Sequence, residues 1–168
     1  MIGKSIRPVK VEDIKSICGI YNYYVENTNI SFEEQAVSEA EMERRVRTVM
    51  QEHSWLVCEI DGEVAGYAYA GKWKDRSAYR FTLEDTVYVK NGLAGKGVGK
   101  ALLGNLIAEM RKEGKHVAMA VIALPNERSI RLHESFGFKK AAHFKEVGFK
   151  NNQWIDVGYW ELQLEENT

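Results

Sequence analysis

A chain of 168 residues is long enough for one domain with a buried core and short for two. Apolar residues make up 45% and charged residues 28%, a globular mixture that excludes a disordered chain. The net charge of −1, from 23 basic and 24 acidic side chains, offers no large cationic surface and argues against nucleic acid as a partner.

Cys18 and Cys58 both sit in apolar stretches and read as buried thiols in a reducing compartment. The N-terminus, MIGKSIRPVK, has no apolar core of a secretory signal. No window approaches the ~18 uninterrupted apolar residues of a membrane span. A cytoplasmic protein without a membrane partner is expected. Neither proline marks a linker and no repeat is visible, so residues 1–168 are expected to form one continuous domain.

In chain order, Ser5 to Val9 predicts a first strand, ended near Pro8. Ile14, Ile17, Cys18, Tyr21, Tyr24 and Val25 recur at helical spacing, with Glu12 and Asp13 at the positive end of the helix dipole. Asn27 to Glu34 is polar and turn-rich, a loop or a short strand around Phe32. Ser38 and Glu41 form a capping box ahead of a second helix carrying Met42, Val46, Val49 and Met50. Trp55 to Ile60 and Val64 to Trp73 form a hairpin across Asp61-Gly62. After the charged turn Lys72 to Ser77, Tyr79 to Val89 is a long strand. Val98, Leu102, Leu106 and Met110, with Leu103 and Ile107 beside them, give an amphipathic helix ended by Gly114. His116 to Ile122 is a strand, and Asn126 to Phe136 a helix with Gly137 past its end. Strands near Lys139 to Val147 and Trp154 to Leu164 close the chain. Hairpins mixed with helical crossovers imply an α+β fold with a mixed sheet.

Leu93-Ala94-Gly95-Lys96-Gly97-Val98-Gly99 joins a strand to a helix. Glycines let backbone approach a ligand closely, and a helix start offers unpaired N–H groups. A phosphate is the natural guest, with Lys96 and Lys100 adding positive charge. The dinucleotide fingerprint fails because its sixth place, counted from Gly95, is Lys100. The nucleoside-triphosphate loop fails because Gly99-Lys100 is followed by Ala101 and preceded at the first glycine place by Ala94.

The run Val87-Tyr88-Val89, then Gly95-x-Gly97-x-Gly99, then an amphipathic helix resembles the acyl-coenzyme A motif of the GNAT N-acetyltransferase superfamily. Asn126 and Ser129, followed by His133 and Gly137-Phe138, resemble the second half of that signature. Finer features are Ile20-Tyr21-Asn22, Ser31-Phe32-Glu33, Gly66-Tyr67, Arg76-x-x-Tyr79-Arg80, Leu132-His133-Glu134, Val147-Gly148 with Lys150, and Trp154-x-Asp156. In order and spacing these are similar to the phosphinothricin and methionine sulfoximine acetyltransferases. The likeness runs from about Ile6 to Leu164.

The resemblance implies about seven strands, mostly antiparallel, flanked by about four helices, with a V-shaped splay between two central parallel strands. It implies acetyl-CoA as co-substrate, with backbone of Val87, Tyr88 and Val89 along the pantetheine arm and Gly95, Lys96, Gly97, Val98, Gly99 and Lys100 around the pyrophosphate. Asn126 and Ser129 would bond the pantetheine or acetyl end. One departure is Ala94, where the family usually carries Arg or Gln. The backbone cradle does not depend on that side chain.

Amine acetylation needs a neutral amine, a polarised thioester carbonyl and a proton for the departing thiolate. Glu84 matches the family's glutamate base, with Asp85 as a competitor. Regular alternation puts Glu84 and Val87 on opposite faces, so a bulge near Asp85 and Thr86 is expected to bring both to the site. His133 stands where many relatives carry a tyrosine acid, and reads either as a proton donor or as an orienting residue. Lys74, Arg76 and Arg80 are candidate clamps for an amino-acid carboxylate. Phe32, Trp73 and Thr86 would wall the substrate pocket, and Lys150 and Trp154 would reach it from a second subunit, since the resemblance implies a homodimer. His53, His116 and His143 lack ligand-like spacing, so no metal is expected. The leading function is acetylation of a small amino-acid analogue. The alternatives are acetylation of a protein N-terminus or other small amine, and a non-catalytic acetyl-CoA sensor.

Overall fold

The computed structural model describes residues 3–164; the remaining ends of the expected 1–168 domain lie outside the described residues. The elements are β1 (Lys4–Pro8), α1 (Ile14–Asn27), α2 (Glu39–Met50), β2 (Trp55–Ile60), β3 (Glu63–Lys72), β4 (Thr82–Val89), α3 (Val98–Lys112), β5 (Val117–Ala123), α4 (Glu127–Glu134), β6 (Lys139–Lys150) and β7 (Gln153–Gln163). Short 3₁₀ turns occupy Val11–Asp13 and Ser77–Tyr79. The second turn shortens the strand expected from Tyr79, which begins only at Thr82.

The seven strands lie in the order β1-β2-β3-β4-β5-β7-β6. Every neighbouring pair is antiparallel except β4 and β5. The fold is α+β, with a mixed seven-stranded sheet and four helices, as expected. Each face of the sheet buries its own core. Leu83, Ala118, Ala120 and Ile122 pack with Leu102, Leu103, Leu106 and Met110 of α3 on one face. Val57, Trp55 and Tyr67 pack with Ile17, Met42 and Val46 of α1 and α2 on the other. On that second face Trp55 stacks on Tyr69 at 4.1 Å.

Local chemistry sets the helix starts. Ser38 Oγ accepts the Glu41 N–H at 3.1 Å, half of the expected capping box. The Glu41 carboxylate turns instead to Arg44 and Arg45, at 2.8 and 2.9 Å. Asp13 is buried under α1, where Arg7 clamps it through two bonds of 2.8 and 2.9 Å and also reaches Glu59. One guanidinium thus joins β1, the start of α1 and β2. No strand forms around Phe32; residues 28–38 are irregular. Their backbone is held by side chains: Lys150 Nζ donates to Val25 O and Ser31 O at 2.8 and 2.7 Å, and Arg45 grips Glu33 at 2.7 Å.

A close approach on β3 fixes how α3 sits on the sheet. A Cβ on Gly66 would lie 2.8 Å from the Tyr88 carbonyl oxygen and 3.0 Å from Val98. Neither backbone nor buried valine yields easily. Gly66→Ala is expected to lower stability by about 1–3 kcal/mol, read as a shifted urea midpoint at unchanged slope.

Candidate functional site

The site begins where two strands part. β4 pairs with β5 only from Thr82 to Glu84, opposite Val117 to Met119. Beyond that, β4 stays with β3 in unbroken register to Val89, while β5 stays with β7. Lys90 N–H donates to Ala65 O at 2.8 Å, which sets the phase of the antiparallel ladder. Glu84, Thr86 and Tyr88 bond back to β3. Asp85, Val87 and Val89 therefore turn their N–H and C=O groups to the open gap. The Val89 carbonyl is met there by Tyr24 Oη at 2.6 Å.

A cleft of about 780 Å³ occupies the gap and continues on both sides of the sheet. Alternation places Glu84, Thr86 and Tyr88 on the α1–α2 face, with Tyr24 and Ile30 nearby in the cleft wall. Asp85, Val87 and Val89 look to the α3–α4 face. The bulge expected near Asp85 and Thr86 is absent, because the register from Leu83 to Val89 is continuous. Glu84 and Val87 reach one cleft by a different route: the cleft passes through the parted sheet, so opposite faces of a regular strand both line it.

The glycine turn closes one end of the cleft. Gly95 and Gly97 have φ of 79° and 74°, a region that L side chains rarely enter. Gly97 caps α3 without a side-chain bond, and the first intrahelical bond runs from Ala101 N–H to Gly97 O at 3.0 Å. The N–H groups of Val98, Gly99 and Lys100 are thus left at the helix mouth, a seat for an anion. Lys90, Lys100, Arg128 and Arg131 line the cleft as cations, whereas Lys96 is on the turn but outside the lining. Asn126 caps α4 by accepting the Ser129 N–H at 3.2 Å on Oδ1, which leaves its amide N–H₂ for the cleft. Val87, Tyr88, Val89, Gly95, Gly97, Val98, Gly99, Lys100, Asn126 and Ser129 all line it. An extended amide-bearing arm ending in phosphates fits this open strand edge and helix mouth, which is the shape of coenzyme A.

Glu84 is half-buried in the cleft wall. Burial first, then the charge of Asp85, raises its pKa above the usual glutamate value, while Lys74 opposes the rise. That shift brings the carboxylate nearer the working range of a base at neutral pH. His133 is buried, with Nε2 2.8 Å from Asp85 Oδ1 and Nδ1 2.7 Å from Ser129 O. Nδ1 donates to the Ser129 carbonyl, and Nε2 shares a hydrogen bond with the Asp85 carboxyl group. Burial works against a charge on the ring, but the charge and hydrogen bond of Asp85 and the Ser129 carbonyl outweigh it and raise the pKa. Held at both ends, His133 has the geometry of an orienting group and not of a free proton donor. Asp85 Oδ2 is buried with no hydrogen-bond partner among the described residues, an acceptor left in the cleft wall.

The remaining expected substrate residues lie outside this cleft. Trp73, Lys74, Arg76 and Arg80 stand on the turn before β4, with Trp73 edge-on to Tyr79 at 5.3 Å and Lys74 over the Trp73 ring at 5.2 Å. Arg76 and Arg80 are exposed. Phe32 is exposed and packs over Gly148, where a Cβ would fall 2.5 Å from its ring. Lys150 does not reach out to a neighbouring subunit, because its ammonium is buried on the Val25 and Ser31 carbonyls of its own chain. Trp154 is exposed and borders a second, smaller cavity. Tyr24, Ile30 and Arg128 line the main cleft without having been singled out in the sequence. Among the described residues, no group of three or more His, Cys, Asp or Glu gathers as a metal site, and no helix is long and apolar enough to cross a membrane.

The acetyltransferase (GNAT) domain model matches residues 6–158. The chain belongs to the GNAT acetyltransferases. It is 38% identical to a phosphinothricin N-acetyltransferase of Streptomyces viridochromogenes, over 95% of this chain and 87% of that one. It is 37% identical to an L-methionine sulfoximine/L-methionine sulfone acetyltransferase of Salmonella typhimurium, over 98% of this chain and 96% of that one. Among solved structures, a phosphinothricin acetyltransferase of Sinorhizobium meliloti in complex with acetyl-CoA superposes with a TM-score of 0.94 at 36% identity, covering 98% of this chain and 90% of that one. The protein is an N-acetyltransferase that uses acetyl-CoA as co-substrate. When bound, acetyl-CoA supplies the activated acetyl thioester; the protein's part is to hold it, exclude water and manage protons.

Glu84→Gln separates chemistry from stability. It is expected to lower turnover by about 10²–10⁴-fold. A carboxyl whose pKa is raised by folding contributes stability that is present below its unfolded value and is lost as pH rises through the folded value. At neutral pH the ionised Glu84 is therefore a cost, and Glu84→Gln is expected to unfold at a higher temperature than the parent in a pH 7.5 melt. The acid limb of the kcat/KM profile should lie above the usual glutamate pKa, and Lys74→Met should move it higher still.

Proposed function

We propose that this enzyme moves the acetyl group directly from acetyl-CoA to the amine of a small amino-acid analogue of the phosphinothricin or methionine sulfoximine type. The carrying observation is the cleft through the parted sheet, with the phosphate seat on the α3–α4 face and Glu84 on the α1–α2 face. A donor held on one face and an amine arriving on the other meet between β4 and β5. Glu84 takes the ammonium proton, and the His133–Asp85 pair holds the wall opposite. Direct transfer is favoured because both cysteines are buried outside the cleft and burial raises their thiol pKa values. The named activities of the relatives support the acceptor class.

A second acceptor, the N-terminus of a peptide, is favoured by one observation: Arg76 and Arg80 stand on an exposed turn outside the cleft. The readings part on the acceptor carboxylate. Thiol release should proceed with free amino-acid analogues and fail with short peptides. Turnover on peptides selects the second reading.

The reading includes one domain over residues 1–168, a cytoplasmic setting suited to two free thiols, and a homodimer. Phe144, Val147 and Phe149 are exposed on the β6–β7 hairpin, with 46%, 59% and 53% of their surface open, an apolar patch of the kind that meets a second copy. Val147→Glu is expected to halve the mass seen by sedimentation velocity and to leave the fold intact by circular dichroism.

A further inference from the structure

β4 ends at Val89, and the Val89 carbonyl is the last acceptor that the strand turns to the open gap. Tyr24 Oη donates to it at 2.6 Å. Tyr24 belongs to α1, on the sheet face opposite α3, yet it lines the same cleft as Val89 and the glycine turn. The phenol thus enters the gap from the α1–α2 face and takes a position on the strand edge.

Packing sets its aim. The Tyr24 ring lies 5.1 Å from that of Tyr88 and edge-on to Tyr23 at 5.5 Å. Its backbone is fastened too, because Thr28 Oγ1 donates to Tyr24 O at 2.6 Å. Burial raises the phenol pKa, with Arg128 opposing, so the group keeps its proton at neutral pH and remains a donor.

The chemistry of coenzyme A gives this contact a use. Its arm carries two amides, which can pair with a strand edge. Between the second amide and the phosphates comes a branched segment with two methyl groups and a hydroxyl but no N–H. Where such a segment covers a backbone carbonyl, the carbonyl loses its water, and a buried acceptor without a donor is unfavourable.

We propose that Tyr24 is a positioning residue for the acetyl donor: its phenol satisfies the last carbonyl of the β4 edge, so that the branched segment of the arm can cover this point before the phosphates reach the start of α3. The proposal rests on the reading of the β4 edge and the glycine turn as the donor seat, and adds to that seat a residue from the other face of the sheet. Tyr24 acts through the Val89 carbonyl and not on the reacting atoms. In Tyr24→Phe the ring and its packing on Tyr88 are kept. The carbonyl is then hydrated in the free enzyme and stripped when the arm binds.

Calorimetric titration reads this without turnover. The two ligands are CoA and 3′-phospho-ADP, which has the phosphate end of CoA and lacks the arm. Tyr24→Phe is expected to bind CoA about tenfold more weakly and 3′-phospho-ADP as the parent does, with a thermal melt confirming the fold. Tyr23→Phe, at an exposed neighbour outside the cleft lining, is expected to leave both affinities unchanged. Unchanged or tighter CoA binding by folded Tyr24→Phe overturns the proposal, since the carbonyl then needs no donor or finds one in the ligand. An equal loss for both ligands overturns it as well, because the phosphate end alone does not cover Val89. If the parent binds CoA no more tightly than 3′-phospho-ADP, the arm is not held on the β4 edge, and the donor-seat reading falls together with the role of Tyr24.

Discussion

Everything at the site follows from β4 and β5 parting after three paired residues. A strand edge in the middle of a sheet leaves backbone donors and acceptors without partners, and such groups are unfavourable unless something satisfies them. At Val89 a tyrosine from α1 does so. At Asp85 and Val87 the edge is open to an extended ligand, which can add to the sheet as a strand would. The rest of the cofactor seat extends this edge: β4 runs into the glycine turn, and the turn into the uncapped start of α3. One continuous stretch, from Thr82 to Lys100, thus presents strand edge, positive-φ glycines and helix mouth in the order that an amide arm and its phosphates require.

That continuity explains what was readable in the amino-acid order. The strand ending at Val89, the spacing of Gly95, Gly97 and Gly99 and the four-residue recurrence in α3 are all local, and each lies where expected. So does Asn126, though as the cap of α4 and not its first residue. The face of Glu84 was also readable from alternation, yet the inferred bulge was not needed. Alternation reports which way a side chain points; it does not report that the neighbouring strand has moved away. Likewise the order of residues left His133 as proton donor or orienting residue, and only tertiary geometry shows both of its nitrogens engaged.

The two faces of β4 carry opposite electrostatic arrangements. On one, Asp85 is hydrogen-bonded to His133 Nε2 at 2.8 Å. On the other, Glu84 has no such partner; it feels Lys74 from a distance and Asp85 through the strand. Adjacent carboxyls in one strand are thus driven apart in character, one tied into a structural pair and one left basic.

The acceptor side is assembled differently. On the reading proposed above, its wall includes Asn29 and Ile30 of the irregular segment 28–38, which depends on distant side chains. Lys150 holds the Val25 and Ser31 carbonyls, Asn29 is tied to Gln153 and Asn151, and Phe32 sits on Gly148. All of these anchors come from the β6–β7 hairpin, more than a hundred residues away in the chain. A buried ammonium on two carbonyls suits such a junction, because it supplies several donors in fixed directions to backbone that has no ladder to join. The consequence is a division of labour written into the chain. On the reading proposed above, the backbone seat of the acetyl donor lies on one contiguous stretch, from β4 through the glycine turn to the start of α3. On the same reading, the shape presented to the amine rests on the meeting of a loop and a hairpin, tied together through Asn29, Gln153 and Asn151.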